Sequence, residues 1–354
     1  MPKRVRSVDE WVVLLSSPSA SERELAVEGL GDALGAEDGM ARERAAEVLL
    51  EALARPGAAV GPLLSVLQSA WWPPPVRLAG TAMQAVVVAV STLDAANAAV
   101  EDAAFVLANV CRVAPAQCAA VDAALEHPRP AVRRAAAGAV GRMGEAAVPL
   151  LPRLIPLLDD EEDVAGAALE SMGALASLAP GVAMPALLEH IRTAEGARLY
   201  LALTALRSLV EDARREGRPL PSLQGLEASL HRAVKEGESA IRVEALTLVG
   251  LMGAASAELL ERVSGRLEDT NPSVAACAAV ALLRLGAPSQ APVALLEFQL
   301  RAVEAPEQQA AALSALEDVE PATWVHARDM LKRVADTASG PTRDALRALL
   351  EQLV

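Results

Sequence analysis

Counted from Val132, small and medium apolar side chains return at the fourth, eighth and eleventh residues, as Ala136, Val140 and Met143, and Gly144 follows at the twelfth. Arg133, Arg134 and Arg142 fall between them. The same count from Val164 gives Ala168, Met172, Leu175 and Ala176. From Ile241 it gives Ala245, Val249, Met252 and Gly253, and from Val274 it gives Ala278, Leu282, Leu285 and Gly286. These offsets lie on one face of an α-helix. Glycine at the end of the count sits where a helix stops, because glycine accepts the left-handed conformation of that position. Each anchor therefore opens a first helix. A second apolar pair marks a partner helix further on, at Leu154 and Leu158, Val263 and Leu267, and Leu296 and Leu300. The Val164 copy carries the pair with a one-residue slip, at Leu187 and Ile191.

Weaker copies start at Glu22, Arg42, Val100, Arg198 and Gln308. From residue 100 onward the anchors are 32, 32, 34, 43, 33 and 34 residues apart. A helical pair of that length is the unit of an α-solenoid, in which each repeat buries its apolar face only against its neighbours. The segment 75–92 is helical in pattern but has no clear second helix of its own, and its run Val86-Val87-Val88 is β-branched, which disfavours helix. The expected organisation is one continuous solenoid. Residues 1–95 form less regular N-terminal helical repeats, 96–338 the repeat array and 339–354 a C-terminal capping helix.

Composition supports this reading. Of 354 residues, 53% are hydrophobic but only 2% aromatic, so the core is alanine, leucine and valine. Alanine and leucine are strong helix formers. Lys+Arg is 32 and Asp+Glu 46, a net charge of −14. That balance repels phosphate backbones, so a nucleic-acid partner is not expected. The uncharged stretch between Arg77 and Asp94 is shorter than the ~20 residues of a spanning helix, so membrane insertion is not expected either. Lys3, Arg4 and Arg6 are followed by Ser7, Asp9 and Glu10 rather than an apolar run, which argues against a signal peptide. Three cysteines, Cys111, Cys118 and Cys277, form no disulfide framework and fit a reducing, cytoplasmic setting.

The segment Val132-Arg133-Arg134-Ala135-Ala136-Ala137-Gly138-Ala139-Val140-Gly141-Arg142-Met143-Gly144 resembles the first helix of a HEAT repeat, most closely the HEAT-like repeats named after phycobilisome lyases. Asn271-Pro272-Ser273-Val274 before an alanine-rich helix resembles the same pattern. The likeness covers about residues 97–338 well and 20–95 loosely. It implies an all-α fold, a right-handed α-α superhelix of HEAT-like helical pairs (an armadillo-like solenoid), with a concave protein-binding surface. Second helices would line that surface, where Arg153, Glu189, Arg192 and Arg232 are candidate contact residues. Relatives by this resemblance include bilin lyases, hydroxylases of a lysine-derived residue and base-excision enzymes. Hydroxylation of that kind needs paired His-Glu motifs, which the sequence lacks. Base excision needs a basic channel with aromatic side chains. Bilin attachment has no motif that excludes it.

Candidate chemistry is sparse. His127, His190, His231 and His326 form no HExxH or other short metal pattern, so no metal is expected. Pro115 separates Cys111 from Cys118, and Cys277 occupies an inward offset, so all three read as core. Gly138, Gly141 and Gly144 fall in or after a helix with no preceding strand, so they read as close packing and not as a dinucleotide loop. Asp159-Asp160-Glu161-Glu162-Asp163 fits acidic residues at the start of the next helix, where the dipole favours them. Two features suit contact with a partner. Trp71-Trp72-Pro73-Pro74-Pro75 concentrates two tryptophans in a chain nearly free of aromatics, and tryptophan is favoured at interface hot spots. The 43-residue spacing implies an insertion around Arg214-Arg215-Glu216-Gly217-Arg218-Pro219, a basic surface loop. The function expected is a non-catalytic scaffold for another protein, with no cofactor. The alternatives are a HEAT-like enzyme or accessory subunit of the bilin-lyase type, and a regulatory subunit that assembles with itself through positions such as Leu150 and Leu157.

Overall fold

In the computed structural model every strong anchor opens a helix, and the described residues contain no strand. The structure describes residues 6–70, 74–218, 225–288, 290–317, 319, 327–338 and 340–351. The chain forms two compact units, Met1–Ala183 and Met184–Val354.

The first unit contains α1 (Val8–Leu14), α2 (Ala20–Leu34), α3 (Gly39–Leu53), α4 (Val60–Ala70), α5 (Ala79–Val90), α6 (Ala99–Val113), α7 (Cys118–Leu125), α8 (Pro130–Arg142), α9 (Leu151–Leu154) and α10 (Glu162–Leu175). Helix α9 is one turn, flanked by 3₁₀ segments at Gly144–Leu150 and Ile155–Asp159. Helices α2, α4, α6, α8 and α10 pack each on the next as a row of first helices. Helices α1, α3 and α5 start the second row, which continues through α7 and α9. The unit boundary falls within α11 (Pro180–Thr193). The second unit continues with α12 (Gly196–Arg215), α13 (Glu227–Glu236), α14 (Ser239–Met252), α15 (Ala257–Gly265), α16 (Pro272–Arg284), α17 (Gln290–Arg301), α18 (Pro306–Glu317), α19 (Arg328–Thr337) and α20 (Gly340–Glu351). There α12, α14, α16, α18 and α20 form the first row, while α13 packs on α15 and α17 on α19. The fold is an all-α repeat array of HEAT-like helical pairs.

The offsets read from the sequence are the core. Val132, Ala136 and Val140, Val164, Ala168 and Met172, Ala245 and Val249, and Val274, Ala278 and Leu282 are all buried. Gly144 and Gly253 take φ of 64° and 72°, the left-handed conformation that ends a helix. First helices are buried on most of their circumference because they touch two neighbours in their own row and a partner in the other. Alanine and glycine make that spacing possible. A Cβ on Gly141 would lie 2.8 Å from the Cα of Ser171 in α10, and one on Gly250 would lie 3.0 Å from the Cα of Ala281 in α16. Ser171 Oγ donates to the Ala137 carbonyl at 2.8 Å across the same contact.

Four sequence expectations shift. The Arg42 copy opens α3, which belongs to the second row, and 75–92 contains α5, the second helix of a pair whose first helix, α4, the repeat count does not find. Both rows bury one apolar stripe at a 3.6-residue period, so periodicity alone does not tell them apart. Leu157 is buried at 6% exposure, so it offers nothing to a second copy, and Leu150 is half-buried. Much of the long 198-to-241 spacing is taken up by the 20-residue helix α12, whose last turn contains Arg214 and Arg215. Pro219 lies outside the described residues.

The arginine after the anchor locks successive repeats. Arg133 donates to both oxygens of Asp160 at 2.7 Å, and to the carbonyls of His127 and Pro128 at 2.9 and 3.2 Å. Arg242 does the same work further on, donating to the Gly237 carbonyl at 2.6 Å and pairing with Asp269 at 3.3 Å. The acidic run is thereby explained in part: Asp160 holds Arg133, while Glu162 and Asp163 lie in the first turn of α10.

Candidate functional site

The sequence-derived contact residues sit on the second helices and at the end of α12, and each described one is already engaged within the chain. Arg153 on α9 pairs with Asp122 at 2.7 Å and Glu126 at 3.0 Å, both on or beside α7. Glu189 and Arg192 pair with each other on α11 at 2.9 Å. Arg232 on α13 donates to the carbonyl of Arg192 at 3.2 Å. The same backward reach recurs elsewhere. Arg77 beside α5 grips Glu43 and Glu47 of α3, at 2.6 and 2.7 Å, and Arg333 on α19 reaches Glu297 on α17 at 3.0 Å. Second helices are thus stapled to their predecessors by exposed arginine pairs, each of small energetic value in water. Arg214 donates to the Leu251 carbonyl at the end of α14, and Arg215 pairs with Asp212 at 2.9 Å. Trp71 and Trp72 lie outside the described residues, as does His326.

The feature with converging chemistry is elsewhere, on the first-helix row of the second unit. Arg207 and Glu211 of α12, Val243, Glu244 and Thr247 of α14, Ser273, Cys277, Val280, Ala281 and Arg284 of α16, and Ala311, Ser314 and Ala315 of α18 line a cleft of about 290 Å³. Ser273, Cys277, Val280 and Arg284 recur at helical spacing, so one stripe of α16 forms the floor. Arg207 donates to Glu244 at 2.7 Å and to both oxygens of Glu211 at 3.0 and 3.1 Å. Burial is the largest single influence and would lower the Arg207 pKa, but the hydrogen bonds and charges of Glu244 and Glu211 together outweigh it and the pKa is raised. Glu244 is only 8% exposed. Its second oxygen accepts no hydrogen bond from a described residue.

Cys277 was expected in the core and is instead half-buried at the cleft. It follows the anchor by three residues, on the edge of the helix that faces its row neighbours across a gap. Burial pushes its thiol up to about 11, with the Glu244 charge adding to the effect. A thiol held protonated at neutral pH is a weak nucleophile. In the other unit burial likewise raises the Cys111 thiol, which contacts Cys118. Among the described residues no group of three His, Cys, Asp or Glu side chains is placed to hold a metal ion. No described helix is long and apolar enough to cross a membrane. The cleft therefore offers hydrogen-bond acceptors and fixed charge to a ligand, without an activated nucleophile. Glu244, Cys277 and Ala311 each lie three residues after an anchor and Thr247, Val280 and Ser314 six, but sequence reasoning followed only the buried offsets and so missed the cleft.

No protein-family model matches the chain, and no curated protein matches it in sequence. Solved structures do. The karyopherin Kap121p is 12% identical over a match that covers 92% of this chain and 38% of that one, with a TM-score of 0.63. A second structure shows Kap121p bound to the extreme C-terminus of the protein phosphatase Cdc14p, with a TM-score of 0.62. Importin beta is 16% identical, with 98% of this chain and 57% of that chain covered and a TM-score of 0.53. The chain thus spans less than two thirds of the length of either protein. At these identities the likeness is one of fold.

Proposed function

We propose that this chain is a non-catalytic scaffold that binds another protein, and that the cleft on α12, α14, α16 and α18 is part of its contact surface. The observation that carries the proposal is the cleft itself: four successive repeats each contribute polar side chains to one recess. The one thiol of the cleft is held in its unreactive form, which favours recognition over turnover. Similarity in fold to Kap121p, one structure of which contains a segment of another protein, agrees with this reading. The acidic balance of the chain disfavours nucleic acid as the partner. A cytoplasmic location belongs to the same proposal.

The test is cross-linking in the native cells followed by purification of the chain. The expected result is a stoichiometric protein partner with cross-links to residues of 207–315. A chain that elutes alone with the light-scattering mass of its 36.7 kDa monomer would refute the scaffold. A mass at a multiple of that value, with no other protein, would favour the self-assembling subunit. The narrower resemblance of 132–144 to phycobilisome-lyase repeats would instead be supported by a spectral shift on mixing the chain with a bilin.

A further inference from the structure

Cys111 and Cys118 are seven residues apart, and the chain folds back between them. Cys111 lies in the last turn of α6, and Cys118 opens α7. Pro115 cannot continue α6, because it has no N–H to donate and its ring fixes φ. It starts instead a 3₁₀ turn, Pro115–Gln117, that packs on α6. The Ala114 N–H donates to the Val110 carbonyl at 2.9 Å, the Gln117 N–H to the Ala114 carbonyl at 2.8 Å, and the Cys118 N–H to the Pro115 carbonyl. This tight path brings the two thiols within hydrogen-bonding contact of each other. They differ in access. Cys111 is 1% exposed, whereas Cys118 is partly open to solvent. One sulfur is therefore reachable by a small oxidant, and the other is reachable only through it. Cys277, in the second unit, has Thr247 and charged side chains around it instead.

We infer that Cys111 and Cys118 form a reversible disulfide, with Cys118 the thiol that meets the oxidant and Cys111 the one that resolves it. The oxidant is a small disulfide of the glutathione class. The Cys118 thiol gives up its proton, and its sulfur attacks one sulfur of the oxidant. That S–S bond breaks, and one glutathione leaves as a thiolate and takes up the proton. Cys111 then loses its proton, and its sulfur attacks the Cys118 sulfur. The second glutathione is expelled and takes that proton. Two protein thiols are oxidised to one disulfide, and one glutathione disulfide is reduced to two thiols. Burial holds the Cys111 thiol protonated, so the second step is the slow one. Contact offsets this, because the sulfur to be attacked is already in place. The bond ties the end of α6 to the start of α7 and stiffens that joint of the array. In a reducing compartment such bonds are transient and report redox state. The inference stands apart from the cleft and from the scaffold reading.

The test incubates the folded full chain with excess glutathione disulfide and maps it by peptide mass spectrometry without reduction. Trypsin cuts after Arg112, between the two cysteines, so the disulfide joins two peptides. The expected result is that linked pair, lighter by two hydrogens and released by dithiothreitol. Backbone hydrogen exchange of residues 110–121 should slow about tenfold or more on oxidation. Cys111→Ala should stop at the mixed disulfide, with one glutathione on Cys118. Because that change opens a gap in the core, Cys118→Ser serves as a second variant at the more open position, and its Cys111 should take up no glutathione. A wild-type chain that stops with glutathione on Cys118, or whose Cys118 does not react, overturns the inference. So does a linked pair that forms only in urea, or a folded Cys118→Ser chain with glutathione on Cys111. A disulfide that forms with exchange unchanged overturns the stiffening of the joint.

Discussion

Substituting alanine for glycine at Gly31 and at Gly141 should shift stability in opposite directions. Both lie inside first helices of the same unit, α2 and α8. In a helix the change usually stabilises by about 0.5–1 kcal/mol, because glycine loses more backbone freedom on folding. At Gly31 the new methyl meets only the Cβ of Ala70, at 3.9 Å, which is ordinary contact. The gain should appear there in full. At Gly141 the methyl would lie 2.5 Å from Ser171 Oγ and 2.8 Å from both Ser171 Cα and Cβ. Carbon atoms rest at about 3.5–4.0 Å, so α8 and α10 must part by roughly 0.7 Å or more. A side-chain rotation cannot relieve this, since one of the atoms is backbone. Overpacking of that kind costs about 1–3 kcal/mol. Separation also stretches the buried bond from Ser171 to the Ala137 carbonyl, worth about 1 kcal/mol. Set against the propensity gain, the net loss is about 1–3 kcal/mol. Repeat arrays need not unfold in one step, so the assay is residue-resolved hydrogen exchange alongside urea melts. Protection should fall first in α8 and α10 for Gly141→Ala and rise in α2 for Gly31→Ala. Equal stabilisation by both changes would refute the close packing of the first-helix row.

Leu282→Ala, at a position 3% exposed, should cost about 2–5 kcal/mol, and an unchanged thermal melt would contradict its placement in the core. Arg133→Ala leaves Asp160 largely buried without its guanidinium and should cost about 1–3 kcal/mol. Urea melts check this, and Arg133→Lys should recover only part of the loss because a lysine cannot pair with both carboxylate oxygens. Cys277 has its thiol pKa raised to about 11, so the reactive thiolate is scarce below that pH. Iodoacetamide at pH 8 should label Cys277 and the buried Cys111 far more slowly than a free thiol, read by peptide mass spectrometry. Labelling of Cys277 at the free-thiol rate in folded protein would place it outside the cleft.

How much was legible in advance differs between the fold and the site. A rhythm of Val132, Ala136, Val140 and Gly144, repeated from 164, 241 and 274, is local information, because a helix puts those residues on one face whatever surrounds them. It was therefore enough to find first helices, their glycine ends and the all-α repeat fold. Which row a helix joins is decided by its neighbours, so α3 and α5 could be placed only once their packing partners were known. The roles of the arginines were hidden for the same reason. Arg153 and Arg232 look like free surface charges in sequence, yet carboxylates and carbonyls about a repeat away hold them. The cleft joins Arg207 to Glu244, 37 residues apart, and places Cys277 and Ser314 beside them. Repeat spacing aligns Glu244 with Cys277, but whether a gap opens beside them depends on how four helices lean against one another. Periodicity set the helices and their buried stripes, and tertiary packing alone decided which polar groups face a shared cleft.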